Sequence, residues 1–173
     1  MAISVQKGEA VLSSDSDTIT ITEVDLDRSF VIIDSSTDTT TGSSGYQSWG
    51  VHGKLTDSTT LTIQRDGGVA DAQVTWTVVT CDQSEFLVVD RGTTTISTGS
   101  TTGTSDVAES DPTRTMLIYG SRGNFPTGTS NLGFATLEYT TSVLLTGTRN
   151  GTSNTRTYVF WEAVEWSLES GVT

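Results

Sequence analysis

Alternation with a period of two runs through much of the chain. In Thr18-Ile19-Thr20-Ile21-Thr22 and in Thr60-Leu61-Thr62-Ile63-Gln64 every second position is apolar. Such a pattern sends one side chain toward a core and the next toward water, and it predicts strands with one wet face. Phe30-Val31-Ile32-Ile33 and Met116-Leu117-Ile118-Tyr119 are unbroken apolar runs, and they are expected as central strands covered on both sides. Extended along the chain, this reading predicts strands near 3–12, 17–24, 28–34, 50–56, 59–65 and 72–81, then near 86–97, 101–107, 114–120, 132–139, 141–148 and 155–166.

The second six strands repeat the first six. Val5-Gln6-Lys7-Gly8 returns as Val89-Asp90-Arg91-Gly92 at an offset of 84. Asp27-Arg28-Ser29-Phe30-Val31-Ile32-Ile33 returns as Thr113-Arg114-Thr115-Met116-Leu117-Ile118-Tyr119 at 86, Arg65-Asp66-Gly67 as Arg149-Asn150-Gly151 at 84, and Val74-Thr75-Trp76-Thr77-Val78-Val79 as Val159-Phe160-Trp161-Glu162-Ala163-Val164 at 85. Four anchors in one order, with nearly constant spacing, mark an internal duplication. The expected fold is all-β: two tandem antiparallel β-sandwich (jelly-roll-like) modules, residues 1–84 and 85–173.

Asp66-Gly67 and Asn150-Gly151 favour the positive φ angles of tight turns, so the fifth and sixth strands of each copy are expected to pair. Trp76 alternates in phase with Val74 and Val78, and Trp161 with Val159 and Ala163, which makes each Trp the expected core anchor of its module. Phe160 and Trp166 fall on the other face, where the first copy has Thr75 and Cys81. That face is expected to pack on the first copy or on another subunit. Cys81-Asp82-Gln83-Ser84-Glu85 joins the copies without Pro or Gly, so the modules are expected to be rigidly related. Long loops, Thr37–Ser48 and Ser121–Asn131, carry or adjoin Tyr46, Trp49 and Phe125. These three rings are candidate contact residues, or else they fold back over the end of the sandwich.

Composition narrows the partners. The 173 residues carry 9 basic and 21 acidic side chains, a net charge of −12. Both copies are acidic, with 4 basic against 12 acidic residues in 1–84 and 5 against 9 in 85–173. That field repels phosphates and anionic lipid, so neither nucleic acid nor a membrane is an expected partner. Cys81 is the single cysteine, which leaves no intrachain disulfide and makes a structural zinc improbable. MAISVQKGEA has no apolar core of a signal peptide, and no apolar run approaches the roughly 20 residues of a spanning helix.

Candidate chemistry is sparse. His52 is the sole histidine, and Trp49-Gly50-Val51-His52-Gly53 reads as a strand that leaves it half exposed. No nucleophile elbow, phosphate loop or dinucleotide fingerprint is present. Glu162 and Glu165 are three apart on one strand and point to opposite faces, which does not suit a paired acid and base. Asp15 with Asp17, Asp25 with Asp27, and Asp106 with Glu109 and Asp111 could bring oxygens to a calcium ion. No EF-hand loop or glycine–aspartate repeat accompanies them, and acidic turns are the default in such a chain, so no metal or cofactor is expected. The recurring arginines, Arg28 with Arg114 and Arg65 with Arg149, are expected to tie strand ends and loops together, with docking on an acidic partner as the alternative.

The order V-x-[KR]-G, short Thr-rich strands, F-V-I-I and V-x-W-x-V-V resembles β-modules found singly or in tandem in tailed-bacteriophage virion proteins, over nearly the whole chain. The first copy departs from the second at Thr80-Cys81, where the second has Glu165-Trp166. The resemblance implies a virion component, which the lack of a catalytic constellation leads one to expect to be non-enzymatic and the lack of a signal peptide to be made in the host cytoplasm. The expected role is a capsid decoration (cement) protein that binds the major capsid protein as a homo-oligomer, a trimer being one such state. The alternative is a tail or fibre component that binds host-surface glycan.

Overall fold

The chain is all-β. The computed structural model describes residues 3–37, 50–65, 71–81, 86–123 and 134–166. The first half contains β1 (Ile3–Leu12), β2 (Ser16–Thr20), β3 (Ser29–Thr37), β4 (His52–Asp57), β5 (Thr60–Gln64) and β6 (Ala72–Cys81). The second contains β7 (Phe86–Ile96), β8 (Thr102–Asp106), β9 (Thr115–Gly123), β10 (Ala135–Thr141), β11 (Leu144–Arg149) and β12 (Thr157–Trp166). Among the described residues all pairings are antiparallel, and they make four three-stranded sheets in the orders β1-β6-β3, β2-β5-β4, β7-β12-β9 and β10-β11-β8. The second pair of sheets repeats the first strand for strand. Pairing β1 with β6 inside the same wrap as β2 with β5 is the nested arrangement of a jelly roll.

Each half closes its two sheets over its own apolar residues. In the first, Ile21, Val24, Leu55 and Leu61 meet Val31, Trp76 and Val78, while Leu12, Val51, Ile63, Ala72 and Val74 continue that core toward the other end. In the second, Val107, Leu137 and Leu145 meet Val159, Trp161 and Ala163. Trp76 and Trp161 are 9% and 4% exposed, each in phase with its strand's other buried residues.

Two expectations are corrected. β5 and β6 do not pair: they lie in opposite sheets of one sandwich, as do β11 and β12. Gly151 does adopt a positive φ of 96°, but the turn carries the chain from one sheet to the other. A glycine dipeptide reports the local dihedral angles and not the sheet that the next strand enters. Asp66 and Gly67 lie outside the described residues. The runs beginning at Phe30 and Met116 belong to edge strands, β3 and β9, and the central strands are β6 and β12. On β3, Val31 is buried while Ile32 is 47% exposed, so the apolar run conceals an ordinary alternation.

The duplication extends to individual hydrogen bonds. Ile21 N and Val24 N donate to Thr59 O and Ser58 O at 2.9 and 2.8 Å, and Val107 N and Ser110 N donate to Val143 O and Ser142 O at 3.1 Å each. Gln6 binds the backbone of Thr22 in both directions, at 2.8 and 2.9 Å. In the second half Asp90 Oδ2 accepts from Ala108 N at 3.0 Å at the same place.

The arginines that recur do tie the fold. Arg65 and Arg149 are 1% and 3% exposed. Their backbone N–H groups donate to Asp15 O and Thr101 O, both at 2.9 Å, and their Nε atoms donate to Ser14 O and Ser100 O, both at 3.0 Å. Arg149 also reaches Ser97 O and Thr155 O at 2.9 Å each. The Arg149 guanidinium thus gathers backbone carbonyls at one end of its sandwich, a use that suits its planar fork, and Arg65 repeats its Nε bond to the carbonyl of the preceding turn. Arg28 and Arg114 sit in matching turns. Asp25 caps the 3-10 turn Leu26–Arg28 by accepting from Asp27 N at 3.0 Å, and Asp111 accepts from Thr113 N at 2.9 Å. Arg114 Nε lies 2.8 Å from Asp111 Oδ2 and Arg28 Nε 3.5 Å from Asp25 Oδ2. These acidic residues shape turns.

Candidate functional site

The candidate contact residues Tyr46, Trp49 and Phe125 all lie outside the described residues. What the described residues do bring together is a cleft of about 410 Å³ between the two modules. Its walls come from β3 and β4 of the first half and from β7, β9 and β12 of the second.

At the base of the cleft is an acid inside an apolar strand. Glu162 is 6% exposed and stands in register with Arg91 on β7. Arg91 Nε donates to Glu162 Oε1 at 2.8 Å. The other carboxylate oxygen, Oε2, accepts from Val31 N of the first module at 2.8 Å. Arg91 Nη2 donates to Leu26 O at 2.6 Å and also to Ser29 O. One ion pair of the second module therefore binds the free edge of β3 and the turn that leads into it. An unpaired strand edge exposes just such N–H and C=O groups, and here a carboxylate and a guanidinium from the neighbouring module cover them.

Burial pushes the Glu162 carboxyl above its ordinary pKa, opposed by the Arg91 charge and by the Val31 N–H bond. Desolvation prevails because water is excluded from the carboxylate while only one cation faces it. The pair therefore fixes the geometry of the joint more than it adds net stability.

A stacked pair closes the other wall. His52 on β4 and Phe160 on β12 lie with ring centroids 3.4 Å apart and planes 4° from parallel. His52 is 5% exposed, which corrects the expected half-exposed strand histidine: the face it presents is the one covered by the second module. Phe160 packs on the first copy, one of the two outcomes expected for its face. Nothing is described of the Trp166 side chain. β4 approaches β9 at Gly120, where a Cβ would lie in ordinary van der Waals contact, 3.8 Å from both His52 Cβ and Val51 O.

The rim is polar and aromatic. Lys54 and Tyr119 line it, and Tyr119 is 43% exposed. Cavities of this size take small ligands when a few polar groups converge on an apolar wall. Among the described residues, no group of three or more His, Cys, Asp or Glu side chains could hold a metal ion. Glu165, the other acid of β12, is engaged separately, accepting from Arg114 Nη2 at 3.1 Å.

Sequence reasoning missed Arg91 and Glu162 as partners. A signal was available: Glu162 interrupts Val159-Phe160-Trp161-Glu162-Ala163-Val164, and a charge inside an apolar strand requires a buried counter-charge. No family model, curated protein or solved structure matches the chain.

Proposed function

We propose that this chain is a non-enzymatic phage virion protein that decorates the outside of the head and stabilises it, with the major capsid protein as its partner and a homo-oligomer as its attached form. The observation that supports this reading best is the joint between the modules. The Arg91–Glu162 pair and the His52–Phe160 stack set one sandwich against the other, so contact points on both modules keep a fixed spacing. A cement protein needs this property, because bridging two capsomers gains strength only when the ligand is already held at the span it must cover. The net charge of −12 suits dense packing on a particle without aggregation. Co-sedimentation with heads that lack their own decoration protein tests the reading. Saturable binding at a fixed copy number per capsomer supports it, and protein left in the supernatant at every concentration rejects it.

The cleft supports a second reading, a tail or fibre component that binds host-surface glycan. Tyr119 offers an exposed ring, and Lys54 an ammonium, along the same cleft, the combination of apolar face and polar donor that a sugar ring takes. Glycan-array binding that is lost in Tyr119→Ala, together with no binding to heads, would select it.

A further inference from the structure

The contact between the two modules is one-sided. The first contributes the turn Leu26–Arg28, the start of β3 and the start of β4. The second contributes the outer face of its β7-β12-β9 sheet, through Arg91, Glu162 and Phe160. Because both modules share one wrap, the second also owns a β9 edge and a turn before it, and the first also owns an outer sheet face. These two surfaces are the complementary halves of the same contact, and the hydrogen bonds and ring stack that make the joint within the chain involve neither Lys7 nor the Asp111–Thr115 turn.

Both are built like their counterparts. The turn before β9 repeats the one before β3. Arg114 N donates to Asp111 O at 2.9 Å as Arg28 N does to Asp25 O at 3.2 Å, and Thr115 Oγ1 donates to Asp111 O at 2.7 Å as Ser29 Oγ does to Asp25 O at 2.6 Å. Pro112 O and Thr115 O therefore occupy the places of Leu26 O and Ser29 O. Beyond them, β9 pairs with β12 alone among the described strands.

On the opposing surface, Lys7 stands where Arg91 stands in the second module, each next to the glycine opposite its module's Trp. On one side of it the face is apolar and open, and on the other it carries the row Glu9, Thr75 and Asp34. Val5, Val79 and Phe30 form one row across the three strands, Val5 and Ile3 are 56% and 50% exposed, and Ile32, which also lines the cleft between the modules, is 47% exposed. Adjacent exposed aliphatic residues on a sheet face mark an interaction surface.

We infer that copies of this chain associate head to tail: the Asp111–Thr115 turn and β9 edge of one copy seat on the outer face of the β1-β6-β3 sheet of the next, with Lys7 binding between chains the carbonyls that Arg91 binds within one. Thr77 occupies the position of Glu162 (each stands opposite the strand residue before the cross-strand glycine), so the contact between chains lacks the carboxylate that accepts from the β3 edge within one. A heterologous contact of this kind closes into a ring or continues as a filament. The inference holds whatever particle the protein decorates.

Two single-site variants test it, Lys7→Cys and Pro112→Cys, each with Cys81→Ser. Mixed in equal amounts and treated with a short bis-maleimide, they should yield a crosslinked pair containing one of each, while either variant alone yields none. Crosslinking of Lys7→Cys with itself, or none in the mixture, overturns the inference. Sedimentation velocity gives a second readout. The unmodified chain should exceed monomer mass as concentration rises, and Val5→Asp should weaken that association at least tenfold with its unfolding transition unchanged. A chain that stays monomeric at all concentrations also overturns it. Head binding is measured separately, so a failed self-association and a failed decoration role remain distinct results.

Discussion

Trp161 covers Gly92, its register partner on the neighbouring strand, so closely that a Cβ on Gly92 would lie 2.5 Å from Trp161 Cζ2. Trp76 covers Gly8 in the same way, at 2.6 Å. An aromatic ring laid over a cross-strand glycine fills the space that the glycine leaves and fixes the register of the pair. The Lys/Arg-Gly and Trp motifs of the repeat are thus one structural unit seen from two strands.

Gly8→Ala and Gly92→Ala should each destabilise the protein by about 1–3 kcal/mol, the usual cost of overpacking a filled site. Urea unfolding measures it. The contact is with ring carbons of a core residue, so the indole must shift. Substitution at Gly99, which has φ 75° and nothing within 4 Å, meets only backbone strain and serves as the contrast.

Removing the Glu162 side chain should cost more than the ion pair contributes. Glu162→Ala leaves Val31 N–H without its acceptor and Arg91 without its counter-charge, and breaking a buried pair typically costs about 3 kcal/mol or more. Because the pair holds the modules together, the variant should also separate their unfolding into two calorimetric transitions. A single transition at unchanged temperature would contradict this account of the joint.

Acid dependence should have two opposing components. Hydrogen bonds from Thr113 and Arg114 hold the Asp111 carboxyl down at about 2, against an ordinary 3.8. Its contribution is therefore present above about 3.8 and lost as pH falls toward 2. Asp111→Asn should flatten stability over that window. Burial raises Glu162 above its ordinary 4.5, so its contribution is complete below that value and lost as pH rises through the folded one. The stability of the unmodified protein relative to Glu162→Gln should fall as pH rises from about 4.5. Unfolding curves at a series of pH values measure both slopes.

Arg149→Lys should fail to restore the native fold's stability. Arg149 donates to Ser97 O, Ser100 O and Thr155 O on different sides of one guanidinium, and a single ammonium cannot span them. A loss of roughly 1–3 kcal/mol is expected, the cost of leaving buried carbonyls unsatisfied.

Strand positions were legible because the alternation around Ile19, Leu61 and Trp76 is local. Pairing was not. That β6 and not β3 is central depends on which strands meet, and Phe30-Val31-Ile32-Ile33 looks the same in either place. The burial of His52 could not be read locally either, because its cover is Phe160 of the other module. The repeat itself held the missing information: where Arg91 and Glu162 replace Lys7 and Thr77, the two copies differ in chemistry at corresponding positions, and that difference marks the joint.

The most direct test of the proposed role is the mass gained by phage heads saturated with the chain. A gain equal to a whole number of 18.4 kDa chains per capsomer, reached at a defined concentration and accompanied by greater resistance of the heads to heat, is the predicted result. Heads that gain no mass, or gain it without saturation, would contradict the account.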